Sequence, residues 1–181
     1  MPSGVYPRRV KRHAVTQPLD KPYRYIPLTQ GKVALVDERD FEWLSQWNWY
    51  AHWKKTDKTF YARRSSQAGT VQMHRVILKC DSSEETDHRN HDGLDNRRNN
   101  LRKCSSSKNA MNRRIGSRNT SGFKGVYWQK GWRARIDING YLKHLGRFPS
   151  AKLAAHAYDA AARRYFGQFA WLNFNLPSEV L

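Results

Sequence analysis

A candidate base and candidate metal ligands lie close together in the middle of the chain. Asp87 and His88 are adjacent, Asn100 follows twelve residues after His88, and Asn109 follows nine residues later. Imidazole, with an unperturbed pKa near 6.5, can accept a proton from water around pH 7. Carboxylate and amide oxygens are ligands that suit magnesium or manganese better than zinc. These residue types are therefore those that metal-dependent hydrolysis of a phosphodiester requires.

The spacing of these residues resembles the core motif of the HNH endonucleases, in their phage and intron-encoded branch. The matching positions are Asp87-His88, the Asn-Asn-Leu-Arg segment 99–102, and Asn109. The resemblance implies a ββα-metal fold in which His88 is the general base and Asn100 braces the loop. It also implies that Asp87 and Asn109 bind one divalent cation, Mg²⁺ or Mn²⁺. The last motif position is often His in that family, so an amide at this position predicts loose metal binding without DNA.

A less specific interpretation of the same segment remains open. An Asp-His pair in a polar loop is commonly solvated surface, and Asn-rich turns form because Asn and Asp satisfy their own backbone. His91 and Asp92 lie in the same loop and are interpreted as loop or phosphate-side residues rather than ligands.

Positively charged residues surround the motif. A charge run is often only a solvated face, but beside a predicted phosphate-cutting centre it is expected to bind the DNA backbone. The residues are Arg97, Arg98, Arg102, Lys108, Arg113 and Arg114.

The composition of the whole chain favours a nucleic-acid partner. The 181 residues carry a formal net charge of +18, which predicts binding to a polyanion. The resemblance to HNH endonucleases implies that this polyanion is double-stranded DNA. The two cysteines form no Cys-x-x-Cys pair, so a four-cysteine structural zinc is not expected. No apolar run is long enough to span a membrane, which predicts a cytoplasmic protein without a membrane partner.

The pattern of the chain predicts an α+β protein in five segments. Residues 1–20, with Arg8, Arg9, Lys11 and Arg12, are expected to form a flexible basic arm. Residues 21–78 form a strand-rich region that packs on the nuclease core, and 79–115 form the nuclease module. Residues 116–121 form a linker, and 122–181 a sheet-plus-helix domain for DNA binding.

Within the nuclease module the expected order is strand, loop, strand and helix. The strands are predicted at Glu85 to His88 and Leu101 to Cys104, and the helix from the serines at 105–107 through Arg114. In the preceding region, Trp47, Trp49, Ala51 and Trp53 alternate. This alternation predicts one strand face of packed indoles rather than a base-stacking platform.

The C-terminal region shows a clear hairpin pattern. Apolar and polar residues alternate from Trp132 to Ile138, Asn139-Gly140 supplies a tight turn, and Tyr141 to Phe148 return. A third strand is expected at 122–128 and a helix at 151–166. A two-residue turn would place Lys143 on the covered face, so either a bulge or an edge exposed on both sides is expected.

Four blocks of this region resemble the DNA-binding domain of plant ethylene-response factors. They are Gly122 to Tyr127, Leu145 to Phe148, Ala154 to Ala161, and Leu172 to Phe174. The resemblance implies a three-stranded sheet that enters the major groove with a helix behind it. His144 and Leu142 differ from the usual Trp and Arg, so base preference does not carry over. The implied DNA contacts, each of which could instead be solvated sheet face, are Lys124, Tyr127, Trp128, Lys130, Arg133, Arg135 and His144.

Taken together, the sequence predicts a metal-dependent, site-specific DNA endonuclease of homing type. The main alternative is a non-catalytic, sequence-specific DNA-binding regulator. An RNA-binding protein is a weaker alternative, because the alternation places most aromatic residues inside.

Overall fold

The computed structural model describes residues 12–116 and 118–174. Contacts divide the chain into two compact units, Met1–Lys103 and Cys104–Leu181. The described residues are α+β, as predicted, with small antiparallel sheets and four α-helices. The arginines and lysine at positions 8, 9 and 11 of the predicted basic arm lie outside the described residues. No helix in the described ranges is both long and apolar enough to cross a membrane.

The N-terminal unit begins with two small sheets and their helices. Strand β1 pairs antiparallel with β2, and β3, β4 and β5 form an antiparallel sheet in that order. Strands β6 and β7 pair with each other. The elements are β1 (Tyr23–Pro27), β2 (Val33–Asp37), α1 (Glu38–Ser45), β3 (Tyr50–Lys54), β4 (Thr59–Ser66), β5 (Gly69–Gln72), α2 (Met73–Ile77), β6 (Glu85–His88) and β7 (Leu101–Cys104).

One apolar core holds these elements together. Its buried residues come from the sheet β1-β2, the sheet β3-β4-β5, both helices and β7. Strand β7 is therefore anchored to the rest of the unit. Burial of such side chains is the main stabilising term of a small fold. The core residues are Ile26, Leu28, Ala34, Val36, Leu44, Trp49, Ala51, Ala62, Met73, Ile77 and Leu101.

The predicted face of packed indoles is wrong in part. Trp49 is 1% exposed, whereas Trp47 and Trp53 are 46% and 49% exposed. Strand β3 begins only at Tyr50, so Trp47 precedes the strand and does not follow its alternation. Trp53 lies near the other end and packs on Phe60, with ring centroids 4.9 Å apart.

The long loop between β6 and β7 is tied to strand β2. The amide of Leu35 donates to the carbonyl of Leu94 (2.9 Å), and the amide of Asn96 donates to the carbonyl of Leu35 (2.8 Å). Asp37, at the end of β2, accepts a hydrogen bond from the amide of Arg98 (2.9 Å). The loop that connects the two candidate catalytic strands is therefore held by backbone hydrogen bonds to a distant element.

The C-terminal unit is a three-stranded antiparallel sheet, in the order β10-β9-β8, with a helix packed against it. Small side chains of α4, among them Ala154, Ala155 and Ala162, are fully buried, which lets the helix lie close to the sheet. The elements are α3 (Ser106–Met111), β8 (Val126–Trp128), β9 (Trp132–Ile138), β10 (Tyr141–Phe148) and α4 (Ala151–Phe166), followed by a 3₁₀ turn (Gly167–Phe169).

Helix α3 is shorter than predicted. Ser105 caps it, because its hydroxyl accepts the amide of Lys108 (3.3 Å), but the helix ends at Met111 rather than at Arg114. The ammonium of Lys124 donates to the carbonyl oxygens of Met111 (2.7 Å) and Arg113 (2.8 Å). These carbonyls therefore have a side-chain partner in place of further helical turns.

A bulge in β10 resolves the register that the sequence left open. The turn at Asn139-Gly140 pairs Ile136 with Lys143, and the pairing then shifts between His144 and Gly146. Leu145 is the extra residue, and it packs against the buried core of the unit. The bulge therefore places Arg147 opposite Arg133 and Phe148 opposite Trp132 beside the core, whereas unbroken pairing would place Arg147 opposite Trp132.

Candidate functional site

Asp87 and His88 occupy the end of strand β6, and both are buried. Asp87 is 7% exposed and His88 is 6% exposed. Arg102, on the paired strand β7, donates from Nε to Oδ2 of Asp87 (2.7 Å) and from Nη2 to the same oxygen. The guanidinium thereby stabilises the Asp87 carboxylate away from solvent.

Two aromatic rings enclose the imidazole of His88. The centroid of His74 lies 4.9 Å from that of His88, and the centroid of Tyr61 lies 5.6 Å away, both in edge-on geometry. Burial lowers the pKa of His88 to about 4, although a hydrogen bond with Asn96 and the nearby carboxylate of Asp87 act in the opposite direction. The imidazole is therefore neutral at pH 7, in the protonation state that a base requires.

Asn100 joins both ends of the loop. Its side-chain amide donates to the carbonyl of Asp95 (2.8 Å) and to the side-chain oxygen of Asn90 (2.9 Å). Its own side-chain oxygen accepts the backbone amide of Asn90 (3.0 Å). Its backbone carbonyl accepts the amide of Arg89, directly after His88 (2.9 Å). Truncating this side chain would release the loop next to the imidazole.

Three of the predicted phosphate-binding arginines are engaged within the protein. Arg97 makes two parallel hydrogen bonds to the carboxylate of Asp95 (2.8 and 2.7 Å), and Arg98 does the same to Asp40 (2.7 and 2.8 Å). Arg102 is held by Asp87, as described above. Each guanidinium is thus neutralised by a carboxylate, so its attraction for a phosphate is reduced.

The other motif residues lie in the second unit. Asn109 is in helix α3, is half-buried, and donates its backbone amide to the carbonyl of Ser105 (2.9 Å). Lys108, Arg113 and Arg114 are exposed, and the Lys108 ammonium lies 5.5 Å from the ring centroid of Phe169. Their roles in metal or DNA binding remain predictions.

The donor chemistry at Asp87 fits a hard divalent cation. Among the described residues, no group of three or more His, Cys, Asp or Glu side chains is arranged to hold a metal ion. Magnesium does not need such a cage, since it commonly uses one or two carboxylates together with waters and substrate phosphates. A cation at Asp87 would share that carboxylate with Arg102.

The exposed face of the C-terminal sheet carries most of the predicted DNA contacts. The register aligns Tyr127 with Arg133, and Arg133 with Arg147. The Arg135 guanidinium lies 4.7 Å from the ring centroid of Tyr127, whose hydroxyl is 3.3 Å from Nδ1 of His144. A row of cations and aromatic rings therefore runs across all three strands.

Trp128 and Lys130 extend this face toward the β8–β9 turn. Trp128 is 63% exposed and packs edge-on against Trp132, with centroids 5.1 Å apart. Lys130 is exposed in the turn and has a positive φ of 52°. Both side chains are accessible to a ligand.

Lys124 stands apart from the other predicted contacts. Its ammonium donates to the end of helix α3, and burial lowers its pKa to about 8. Its contact with DNA remains a prediction.

Sequence reasoning also missed Arg147, because only the bulge after His144 determines which residues of β10 face outward. The alternation of residues along β10 predicts an outward Arg147 only when the position of the bulge is already known.

Comparison with known proteins gives two similar sequences. A protein named as an uncharacterized HNH endonuclease, L560 of Acanthamoeba polyphaga mimivirus, is 28% identical over 147 residues, covering 78% of this chain and 74% of the viral protein. The ethylene-responsive transcription factor ERF084 of Arabidopsis thaliana is 49% identical over 63 residues, 32% of this chain and 24% of the plant protein. The chain thus spans about a quarter of the plant relative. No family model and no solved structure matches.

Proposed function

We propose that this protein is a metal-dependent, site-specific DNA endonuclease of homing type with an HNH centre. The observation that carries the proposal is the buried Asp87-His88 pair on β6, with its imidazole neutral at pH 7 and its loop braced by Asn100. Similarity to a viral protein named as an HNH endonuclease supports the same class. In this proposal β6, β7 and α3 form the ββα-metal module.

The proposed mechanism uses His88 as the general base. Its neutral imidazole takes a proton from water, and the resulting hydroxide attacks phosphorus in line with the bond to the departing 3′ oxygen. The Arg102 guanidinium donates hydrogen bonds to the Asp87 carboxylate, and Asn100 keeps the loop after His88 in place. A Mg²⁺ or Mn²⁺ ion held by Asp87 and Asn109 would supply charge neutralisation at the departing oxygen.

Site selection is assigned to the C-terminal sheet. Contacts to phosphates carry no sequence information, so a nuclease centre needs a separate surface that reads base edges. The outward row of cations and aromatic rings on β8, β9 and β10 is such a surface, and similarity to a plant protein named as a transcription factor supports this role. Double-stranded DNA is the proposed partner of both units.

The chemistry is tested by the substitution His88→Ala. We expect the purified wild-type protein to cut DNA of its source genome only when Mg²⁺ or Mn²⁺ is added. The variant should lose cleavage and bind DNA with nearly unchanged affinity. Cleavage by His88→Ala at the wild-type rate would remove His88 from the role of base.

The targeting role is tested on the exposed sheet face. Deleting everything after residue 116 would cut through the second unit, which begins at Cys104, so point substitutions are preferable. Arg133→Ala and Arg135→Ala should lower the preference for the target site over other DNA more than the cleavage rate. Lys152→Ala, which removes an exposed cation from helix α4, is the matched control. Equal effects at these three positions would contradict the targeting role.

A non-catalytic DNA-binding regulator is the second candidate. The 49% identity to a plant protein named as a transcription factor favours it for the C-terminal unit. Metal-dependent cleavage that is lost in His88→Ala would exclude it, and binding without any cleavage by the wild-type protein would establish it.

A further inference from the structure

The sheet β3-β4-β5 has a polar face that leads to the candidate catalytic histidine. Ala51 and Ala62 are buried on the core side of this sheet, so the residues that alternate with them lie on the opposite side. Tyr61 belongs to that opposite side, and its ring contacts His88. Arg63 lies two residues further along β4, roughly 7 Å away at the usual rise of a strand. This polar face is therefore next to the proposed site of cleavage.

Arg63 is the central cation of this face. The register pairs it with Tyr50 on β3 and with Gln72 on β5, so a hydroxyl, a guanidinium and an amide form one row across the sheet. All three side chains are half-buried. Groups of these three kinds are common phosphate ligands in protein–DNA complexes. We call this set the Arg63 row.

The guanidinium of Arg63 lacks the internal partner that the neighbouring arginines have. The Nε atoms of Arg63 and Arg64 are both buried without a hydrogen-bond partner among the described residues. Arg97, Arg98 and Arg102, by contrast, are each paired with a carboxylate. Because no carboxylate in the described part of the chain neutralises Arg63, its guanidinium keeps its attraction for a phosphate oxygen.

Arg64, the next residue, provides an internal comparison. It faces the core side, where its guanidinium lies 4.1 Å from the ring centroid of Trp47 and 5.6 Å from that of Trp49. Cation–π stacking therefore accounts for the position of Arg64. No aromatic ring plays this part for Arg63 in residues 12–116.

We propose that the Arg63 row binds a DNA backbone phosphate that flanks the phosphodiester cut at His88. This inference rests on the proposed function for the position of the cut, but the DNA contact itself can be measured separately. The contact supplies positive charge that the paired arginines of the loop do not.

The test compares Arg63→Gln with Arg64→Gln, two variants that lose the same charge at adjacent positions. Both are made in full-length protein carrying His88→Ala, and binding to a mixed-sequence DNA duplex is measured without divalent cations over a range of salt concentrations. Loss of one phosphate contact should reduce the slope of log affinity against log salt by about 0.9. Arg63→Gln should show this change, with roughly 10- to 100-fold weaker binding at low salt. Arg64→Gln should leave the slope unchanged.

Two further variants keep the result decisive. Arg63→Lys retains the charge and should restore most of the slope, which a purely structural role would not predict. If Arg63→Gln unfolds at a lower temperature than Arg64→Gln, Tyr50→Phe replaces it, since it removes only one hydroxyl. We expect it to weaken binding by about three- to tenfold, the value of one hydrogen bond.

The outcomes separate this inference from the proposed function. A wild-type protein that cuts DNA, together with equal slopes for Arg63→Gln and Arg64→Gln, would overturn the Arg63 row alone. A wild-type protein that does not cut, together with a reduced slope for Arg63→Gln only, would overturn the endonuclease and leave the phosphate contact. Absence of DNA binding by the parent protein would overturn both.

Discussion

Replacement of Asn100 by Ala is the sharpest test of how the candidate site is held together. The substitution removes three hydrogen bonds, to the carbonyl of Asp95, the side-chain oxygen of Asn90 and the backbone amide of Asn90. Each contributes about 1 kcal/mol net, so the free energy of unfolding should fall by about 3 kcal/mol. The carbonyl oxygen of Asp95 is buried and would lose this donor. We therefore expect the decrease in the free energy of unfolding to lie at the upper end of the range for lost hydrogen bonds.

Asn99→Ala is the matched control for this substitution. Asn99 is the preceding residue, is exposed, and has no side-chain hydrogen bond among the described residues. It should lower the free energy of unfolding by less than about 0.5 kcal/mol, as surface substitutions usually do. Urea unfolding followed by tryptophan fluorescence measures both variants, and hydrogen exchange at the amide of Asn90 reports the loop directly.

The two variants should also differ in cleavage. Asn100→Ala releases the loop that follows His88, so we expect a lower cleavage rate even where the protein remains folded. Unfolding free energies that agree within about 0.5 kcal/mol for Asn100→Ala and Asn99→Ala would refute the bracing role. Unchanged exchange at the amide of Asn90 would refute it independently.

Two further predictions concern protonation and metal. Burial lowers the pKa of His88 from 6.5 to about 4, so between these values the unfolded chain binds a proton that the folded protein does not. Acidification through this window should lower the free energy of unfolding by up to about 3 kcal/mol, and the fall should be smaller in His88→Ala when urea unfolding is repeated across the same pH range. Asn109→Ala should raise the Mg²⁺ or Mn²⁺ concentration that gives half-maximal cleavage. If the metal titration of Asn109→Ala matches the wild type while that of His91→Ala shifts, His91 is the ligand instead.

The sequence alone determined much of the local structure. Strands β6 and β7 have the predicted bounds, which came from the order strand, loop, strand and helix that the resemblance to the HNH motif implies. The hairpin turn at Asn139-Gly140 is likewise a local signal, and both residues have positive φ values of 54° and 86°. The motif spacing from Asp87 to Asn109 needed no structure to be noticed.

Only the tertiary structure decided which charges are available and what surrounds the imidazole. Arg98 pairs with Asp40, 58 residues away, and a run of cations in a sequence does not show which of them meet a carboxylate. Tyr61 and His74 reach His88 from other elements, and their contacts depend on how β4 and α2 pack. A local window of residues contains no information on long-range packing of this kind. The Arg63 row therefore follows only from the pairing of strands β3, β4 and β5 in the structure.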